Sequence, residues 1–303
     1  MPKQIPTPSH PPPDTWTILK LVQWTTAYFE SRGIDSPRST AEILLAHILD
    51  ITRIDLYLRY DQPMAASELA RYREAIRRRA RREPVAYITG QREFWSMPLD
   101  VNQQVLIPRP ETECLVELAL DEIPEAGDGQ PCRILDLGTG SGAIILALAK
   151  ERADHWYVAL DRQPAAVRLA KKNAVRQGLA TGVRFICGDW FACLNATGSR
   201  FDLIVSNPPY VRAGEIDGLQ PEVARYEPRT ALDGGPDGLA CLRHIITAAP
   251  GFLKPGGTLI LEIGYDQAEA VLAMARHRKV YGALAVENDF SGLPRVARMK
   301  LKN

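Results

Sequence analysis

Apolar residues recur at helical spacing through the first part of the chain. Between Trp16 and Glu30 they fall at Ile18, Leu21, Val22 and Phe29, with Asp14 or Thr15 as a candidate cap. Ala41, Leu44, Leu45, Ile48 and Leu49 form a broader stripe, and a third helix is expected from Ala66 to Arg82. Gly33 and the Gln62-Pro63 pair mark the breaks. The pattern predicts a small all-helical domain over residues 14–83, with no repeat period. From Glu83 the rhythm changes. Pro84, Gly90, Phe94, Trp95 and Pro98 interrupt short β-like segments, which predicts a hairpin linker over 84–105. A helix is expected from about Glu111 to Leu120, opened or capped by Glu111 or Thr112.

Residues 106–303 read as a second domain. From about Pro131, short apolar runs alternate with helical stretches: Arg133 to Leu137, Ala143 to Lys150, Trp156 to Leu160, Pro164 to Gln177, Val183 to Cys187, Phe201 to Ser206, Leu239 to Leu253 and Thr258 to Ile263. Strands alternating with helices imply an α/β fold with a parallel sheet and right-handed crossovers. The stretch from Lys279 to Leu301 has room for one more hairpin.

Composition narrows the class. The chain has 303 residues, 46% hydrophobic and 24% charged, which suits a globular protein of two domains. A formal net charge of +1 creates no global field for nucleic acid or membrane, and no apolar run reaches transmembrane length. Met1 to Pro13 is proline-rich and lacks the apolar core of a signal peptide, so a disordered tail is expected there. The five cysteines are scattered, without a CxxC pair or a neighbouring histidine cluster. Reduced thiols in a cytoplasmic protein, and no metal site, are the expectation. Arg71, Arg73, Arg77, Arg78, Arg79, Arg81 and Arg82 face a single acid, Glu74. They form either a solvated helix face, favoured by the helix dipole, or a docking patch for an acidic partner. Arg109 and Glu111 either pair on the surface or line a cleft.

The chemistry concentrates in Phe201-Asp-Leu-Ile-Val-Ser-Asn207-Pro208-Pro209-Tyr210. Two prolines cannot continue a strand ladder, so the chain leaves the sheet at Asn207. That places an amide, a free carbonyl and a ring at the carboxyl end of a strand, where open α/β sheets bind ligands. A planar NH2 group is a poor nucleophile because its lone pair is delocalised. The Asn207 side-chain oxygen and the Pro208 carbonyl would grip its two N–H bonds, aim it and stabilise developing positive charge. Tyr210 would stack on the flat group. The plain alternative is a strand followed by a Pro-Pro turn.

Three acid-bearing loops precede that segment. Asp136-Leu137-Gly138-Thr139-Gly140-Ser141-Gly142 joins a strand to a helix. It is neither the G-x-G-x-x-G dinucleotide fingerprint nor a P-loop. The acid ahead of the loop disfavours a pyrophosphate and suits a ligand with a cationic amino-acid end, such as S-adenosylmethionine. Asp161 ends the next strand, 25 residues after Asp136, placed either for both ribose hydroxyls or as a helix cap. Asp189 and Trp190 follow the third strand, for an adenine amine and ring or, in the case of Trp190, for core packing.

These residues resemble the class I S-adenosylmethionine-dependent methyltransferases that modify planar amine nitrogens. The flanks Glu83-Pro84-Val85-Ala86-Tyr87-Ile88-Thr89-Gly90, Phe94-Trp95, Leu106-Ile107-Pro108-Arg109-Pro110-Glu111-Thr112-Glu113 and Tyr226-Glu227-Pro228, with Ala231-Leu232, Gly234-Gly235 and Gly238, resemble the release factor glutamine methyltransferases. The likeness spans roughly Trp16 to Leu301 and implies a Rossmann-like domain with a mostly parallel seven-stranded sheet. It also implies methylation of the glutamine in the Gly-Gly-Gln loop of class I peptide-chain release factors. Gly138, Thr139, Gly140, Ser141, Gly142, Asp161, Trp190 and Asn207 would bind cofactor. Asn207, Pro208, Pro209 and Tyr210 would hold the glutamine, with Asn207, Pro208 and Tyr210 catalytic. No membrane and no obligatory nucleic acid are implied. Thr40 departs from the pattern where many relatives have an acid, and Leu293-Pro294 departs ahead of Arg295. Two rivals stand beside this expectation: the same grip on a ribosomal-protein glutamine or a nucleic-acid amine, and a binding module docking through the arginine-rich helix.

Overall fold

The computed structural model describes residues 15–125, 130–195, 198 and 200–303. The expected tail over 1–13 and the candidate cap Asp14 lie outside them. The chain divides into two compact units between Thr89 and Gly90.

The first unit is helical: α1 (Ile18–Ser31), α2 (Pro37–Leu49), α3 (Arg53–Leu58), α4 (Ala66–Ala80) and α5 (Val85–Thr89). Phe29, Leu44, Leu45 and Tyr72 sit fully buried at its centre. Thr17, rather than Thr15, caps α1 by accepting the Lys20 amide. Thr40 lies inside α2, so the departure there does not touch a cap. Six residues are too few for a period to show, and α3 escapes the sequence pattern. A reciprocal capping box holds it: Thr52 and Asp55 each accept the other's backbone N–H. The linker expected from residue 84 begins instead as helix α5. The Pro84 carbonyl accepts the Tyr87 and Ile88 amides, closing a turn where strand had been expected.

The arginine run on α4 works largely within its own unit. Arg71 donates to the Ile48 carbonyl, Arg82 to Gly33, and Arg79 to Glu83. Arg78 makes two bonds to the Glu83 carboxylate. These bonds satisfy helix-end and loop carbonyls that would otherwise be orphaned. Of the run, Arg78 is charge-paired with Glu83 and Arg79 is buried, while Arg71 and Arg73 stay exposed.

The second unit begins with an antiparallel hairpin, β1 (Gln91–Phe94) and β2 (Met97–Asp100). Its two-residue turn puts Trp95 and Ser96 at positive φ, the geometry that matches strand twist. Met97 and Leu99 are fully buried in the same core as the following helix, so the hairpin is part of this unit rather than a linker. Then come α6 (Glu113–Asp121), β3 (Arg133–Leu137), α7 (Ala143–Glu151), β4 (Trp156–Asp161), α8 (Pro164–Arg176), β5 (Val183–Cys187), β6 (Phe201–Ser206), α9 (Pro221–Tyr226), α10 (Ala240–Ala248), β7 (Leu253–Glu262), α11 (Ala268–Arg278), β8 (Tyr281–Asn288) and β9 (Pro294–Leu301).

The seven-stranded sheet runs β5-β4-β3-β6-β7-β9-β8, with β9 antiparallel to both neighbours and the other pairs parallel. Strand side chains alternate between two faces. Ile134, Leu203, Val205 and Ile260 join the core under α6, α7 and α8. Leu135, Ile204, Leu259 and Leu261 join the core under α10 and α11. The sheet is buried on both sides, which is why its strands read as apolar runs. Strand order reverses between β3 and β6, and a crevice opens there above the strand ends.

Candidate functional site

The glycine loop after β3 is folded by its own backbone. The Gly138 and Thr139 amides both donate to the Leu160 carbonyl, at 2.8 and 2.9 Å. Gly138 and Gly140 take positive φ, which lets the chain turn tightly with nothing projecting above it. Gly142 has a different task. A Cβ there would lie 3.1 Å from Leu146 and 3.3 Å from Ala170, so this glycine lets the loop pack against α7 and α8. It does not line the crevice, although the sequence grouped it with the others.

The crevice is an open cleft of about 1050 Å³, open solvent included. Gly138, Thr139, Gly140, Ser141, Asp161, Asp189, Trp190, Asn207 and Pro209 line it, so four loops from four strands do converge. Asp161 is not a helix cap. Its carboxylate accepts the Gly140 amide at 2.9 Å and the Gln163 amide at 2.9 Å, tying the loop after β3 to the end of β4. Each oxygen keeps a further lone pair for a hydroxyl. Trp190 is half-buried, its ring 6.2 Å from that of His244, and it serves packing and the crevice wall together.

Asp136 lies behind the wall, fully buried, and neither oxygen accepts a hydrogen bond among the described residues. Burial pushes its acid up to about 7. The nearby Asp161 charge adds to the shift, and the Thr139 hydroxyl opposes it without a well-formed bond. A buried carboxylate without a partner is costly unless a cation completes it. The open glycine turn and the Asp161 carboxylate fit a ligand carrying a ribose, and Asp136, behind the wall, adds negative potential for a cationic group when it is ionised. No group of three or more His, Cys, Asp or Glu suited to a metal occurs among the described residues.

The segment after β6 forms the other wall. Ser206 pairs with Leu137 in register, and its hydroxyl donates to the Leu137 carbonyl at 2.6 Å. Asn207 therefore emerges beside Gly138. The Asn207 amide nitrogen donates to Thr112 Oγ1 at 3.2 Å, and the Thr112 hydroxyl donates to Glu262 Oε2 at 2.6 Å. The Tyr210 hydroxyl donates to Glu262 Oε1 at 3.1 Å. Asn207 Oδ1 and the Pro208 carbonyl accept nothing from the described residues. Pro208 is buried and Tyr210 is turned to Glu262; neither side chain lines the crevice. Burial, with the Glu262 charge beside it, pushes the Tyr210 phenol up. Burial likewise raises the Glu262 acid against the pull of its two hydroxyl donors.

Residues 20–90 match the family described as the PrmC N-terminal domain, and residues 128–290 match a methyltransferase domain family. The chain is 45% identical over 262 residues to the release factor glutamine methyltransferase of Geobacter sulfurreducens, covering 86% of this chain and 89% of that protein. It is 47% identical over 246 residues to the release factor glutamine methyltransferase of Escherichia coli, covering 81% and 86%.

The chain belongs to the release factor glutamine methyltransferase family. Solved structures agree on the fold of this family member. A human methyltransferase 10 domain containing protein superposes with a TM-score of 0.51 at 15% identity, covering 69% of this chain and 90% of that one. A Pyrococcus furiosus methyltransferase gives 0.50 at 17%, covering 79% and 100%. No helix among the described residues is long and apolar enough to cross a membrane.

In this methyltransferase several residues build the site in ways that a reading of the sequence does not show. Arg109 pairs with Glu227 rather than Glu111, and Glu227 also accepts the Ile107 amide at 3.1 Å. The Ile-Pro-Arg-Pro-Glu-Thr run is thereby anchored 120 residues away, where its Pro108 and Thr112 line the crevice. Gly234 and Gly238 press against the corner: a Cβ on Gly234 would meet Tyr210 Cα at 2.8 Å, and one on Gly238 the Tyr210 carbonyl at 2.6 Å. Gln267 donates to that same carbonyl at 3.0 Å. The one available hint at Glu262 was a charge closing the apolar run Leu259-Ile260-Leu261.

Proposed function

We propose that this enzyme transfers a methyl group from S-adenosylmethionine to the side-chain amide nitrogen of the glutamine in the Gly-Gly-Gln motif of class I peptide-chain release factors. The observation that carries the reading is the pair of acceptors at the corner after β6. Asn207 and Pro208 are consecutive, Asn207 Oδ1 and the Pro208 carbonyl have no partner among the described residues, and Asn207 lines the crevice together with the glycine loop.

Gly138, Thr139, Gly140, Ser141 and Trp190 would surround the cofactor, Asp161 would take its ribose hydroxyls, and Asp136 would supply charge for its ammonium group. Bound there, S-adenosylmethionine supplies an electrophilic methyl on a sulfonium sulfur. Asn207 and Pro208 each accept one N–H of the glutamine amide, which fixes the nitrogen and orients its face. As the nitrogen gains positive charge, both acceptors strengthen their bonds without rearranging, and one N–H proton then leaves the methylated amide for solvent. The rigid Pro-Pro corner, buttressed by Gly234, Gly238 and Gln267, keeps the two acceptors in place. Tyr210 supports that corner through Glu262; stacking on the amide belongs to it only if its ring turns toward the crevice. Such work belongs in the cytoplasm, with release factors as partners and no nucleic acid required.

Mass spectrometry of a release factor incubated with enzyme and S-adenosylmethionine tests the proposal. A single methyl on the Gly-Gly-Gln peptide is expected; its absence rejects this substrate. Methyl incorporation into ribosomal protein or naked nucleic acid instead would favour the rival substrates.

A further inference from the structure

The amide of an asparagine has nearly the same shape in its two orientations, which differ by exchanging oxygen and nitrogen. An Asn207 turned the wrong way would present its own NH2 to an incoming NH2, donor against donor. The structure contains a device that excludes that orientation. Glu262 is 1% exposed, and its two oxygens each take one hydroxyl, from Thr112 at 2.6 Å and from Tyr210 at 3.1 Å. A hydroxyl has one hydrogen. With that of Thr112 committed to Glu262, its oxygen can only accept on the side facing Asn207. Thr112 is 4% exposed, so water does not readily substitute. The Asn207 nitrogen therefore faces Thr112, and its oxygen is left for the crevice.

We propose that Glu262, acting through Thr112, is a positioning residue that sets the amide direction of Asn207 and, by holding Tyr210 with its other oxygen, clamps both ends of the Asn207–Tyr210 corner. The role rests on reading Asn207 as the acceptor for a substrate amide. Its logic is polarity: in its ionised form, which the two hydroxyl donors and the Arg295 charge favour against burial, Glu262 only accepts and so sets the direction of every bond that follows it. Thr112 lines the crevice, but its part in this scheme is the bond to Asn207, and Glu262 lies outside the crevice lining. They act by excluding one of two nearly isosteric states.

Thr112→Val keeps the shape and removes the relay, Thr112→Ser restores the hydroxyl, and Glu262→Gln keeps the shape and adds a donor. Steady-state methylation of a release factor is compared across wild type, these variants and Asn207→Ala. Cofactor affinity is measured by calorimetry, and the Asn207 side-chain signal by amide NMR on asparagine-labelled protein. Thr112→Val and Glu262→Gln are expected to lower kcat roughly 10- to 100-fold, with KM and cofactor affinity within about threefold of wild type. Thr112→Ser is expected to recover most of the rate. The Asn207 side-chain signal, identified by its loss in Asn207→Ala, is expected to move in Thr112→Val and to stay in Thr112→Ser. Wild-type kcat in Thr112→Val, or an equal loss in Thr112→Ser, overturns the relay. Should Thr112→Val not fold, Glu262→Gln decides alone by the same kcat criterion. If wild type leaves release factor unmodified, the substrate reading fails, and the NMR comparison still decides the relay. If Asn207→Ala loses activity while Thr112→Val does not, the relay alone falls.

Discussion

Asp161 Oδ2 accepts the Gly140 amide at 2.9 Å, so the acid ending β4 is bonded to the loop that follows its neighbour β3. The bond makes Asp161 both a brace for the glycine turn and a wall of the crevice. Asp161→Ala deletes that brace, the bond to Gln163 and the free lone pairs together. Calorimetry is expected to show cofactor affinity falling at least roughly tenfold, with about 1–2 kcal/mol of stability lost. Unchanged affinity would remove Asp161 from the binding set.

Asp136 sets a pH dependence. Its acid is raised to about 7 by burial. Between about pH 4 and 7 the folded state holds a proton that the unfolded chain releases, so this group's contribution to stability falls as pH rises through that window. A cationic ligand needs the ionised form, so cofactor affinity should weaken as pH drops below about 7, by at most about tenfold per unit. Asp136→Asn should abolish both slopes. Melting temperature and binding measured across the window would check them, and parallel slopes in variant and wild type would refute the assignment.

Asn207→Ala should cost turnover rather than cofactor affinity. Removing one preorganised polar contact is worth roughly 2–4 kcal/mol of barrier. An unchanged rate at saturating substrates would contradict the role given to this amide.

Glu227 is buried and holds Arg109 and the Ile107 amide at once. Glu227→Ala leaves a guanidinium and a buried N–H without their partner, and urea unfolding is expected to show a loss of about 2–4 kcal/mol. Glu227→Gln, which keeps an acceptor for Ile107, should lose less. Equal losses would mean that the amide bond contributes nothing.

Gly234→Ala introduces a Cβ 2.7 Å from the Gly238 carbonyl and 2.8 Å from Tyr210 Cα, both backbone. Neither can swing aside. The variant should melt lower, with about 1–3 kcal/mol lost, and should lose activity with its displaced corner. A variant as stable and active as wild type would show that this contact does not brace the corner.

The strands, their parallel order and the placement of three acidic loops followed from local pattern, because a sheet buried on both faces demands apolar runs and each loop carries its own turn residues. Asn207-Pro208-Pro209 announced its corner for the same reason: proline's missing N–H acts where it stands. Short helices α3 and α5 did not show, since a few residues held by a capping box or a single proline carbonyl present no period. Thr112, Glu227 and Glu262 were beyond reach for a deeper cause. The direction of an amide, the partner of Arg109 and the protonation of Asp136 depend on which groups, 20 to 150 residues apart, are brought together out of water. Sequence supplied the donors and acceptors; folding alone decided which of them would be left without a partner beside the crevice.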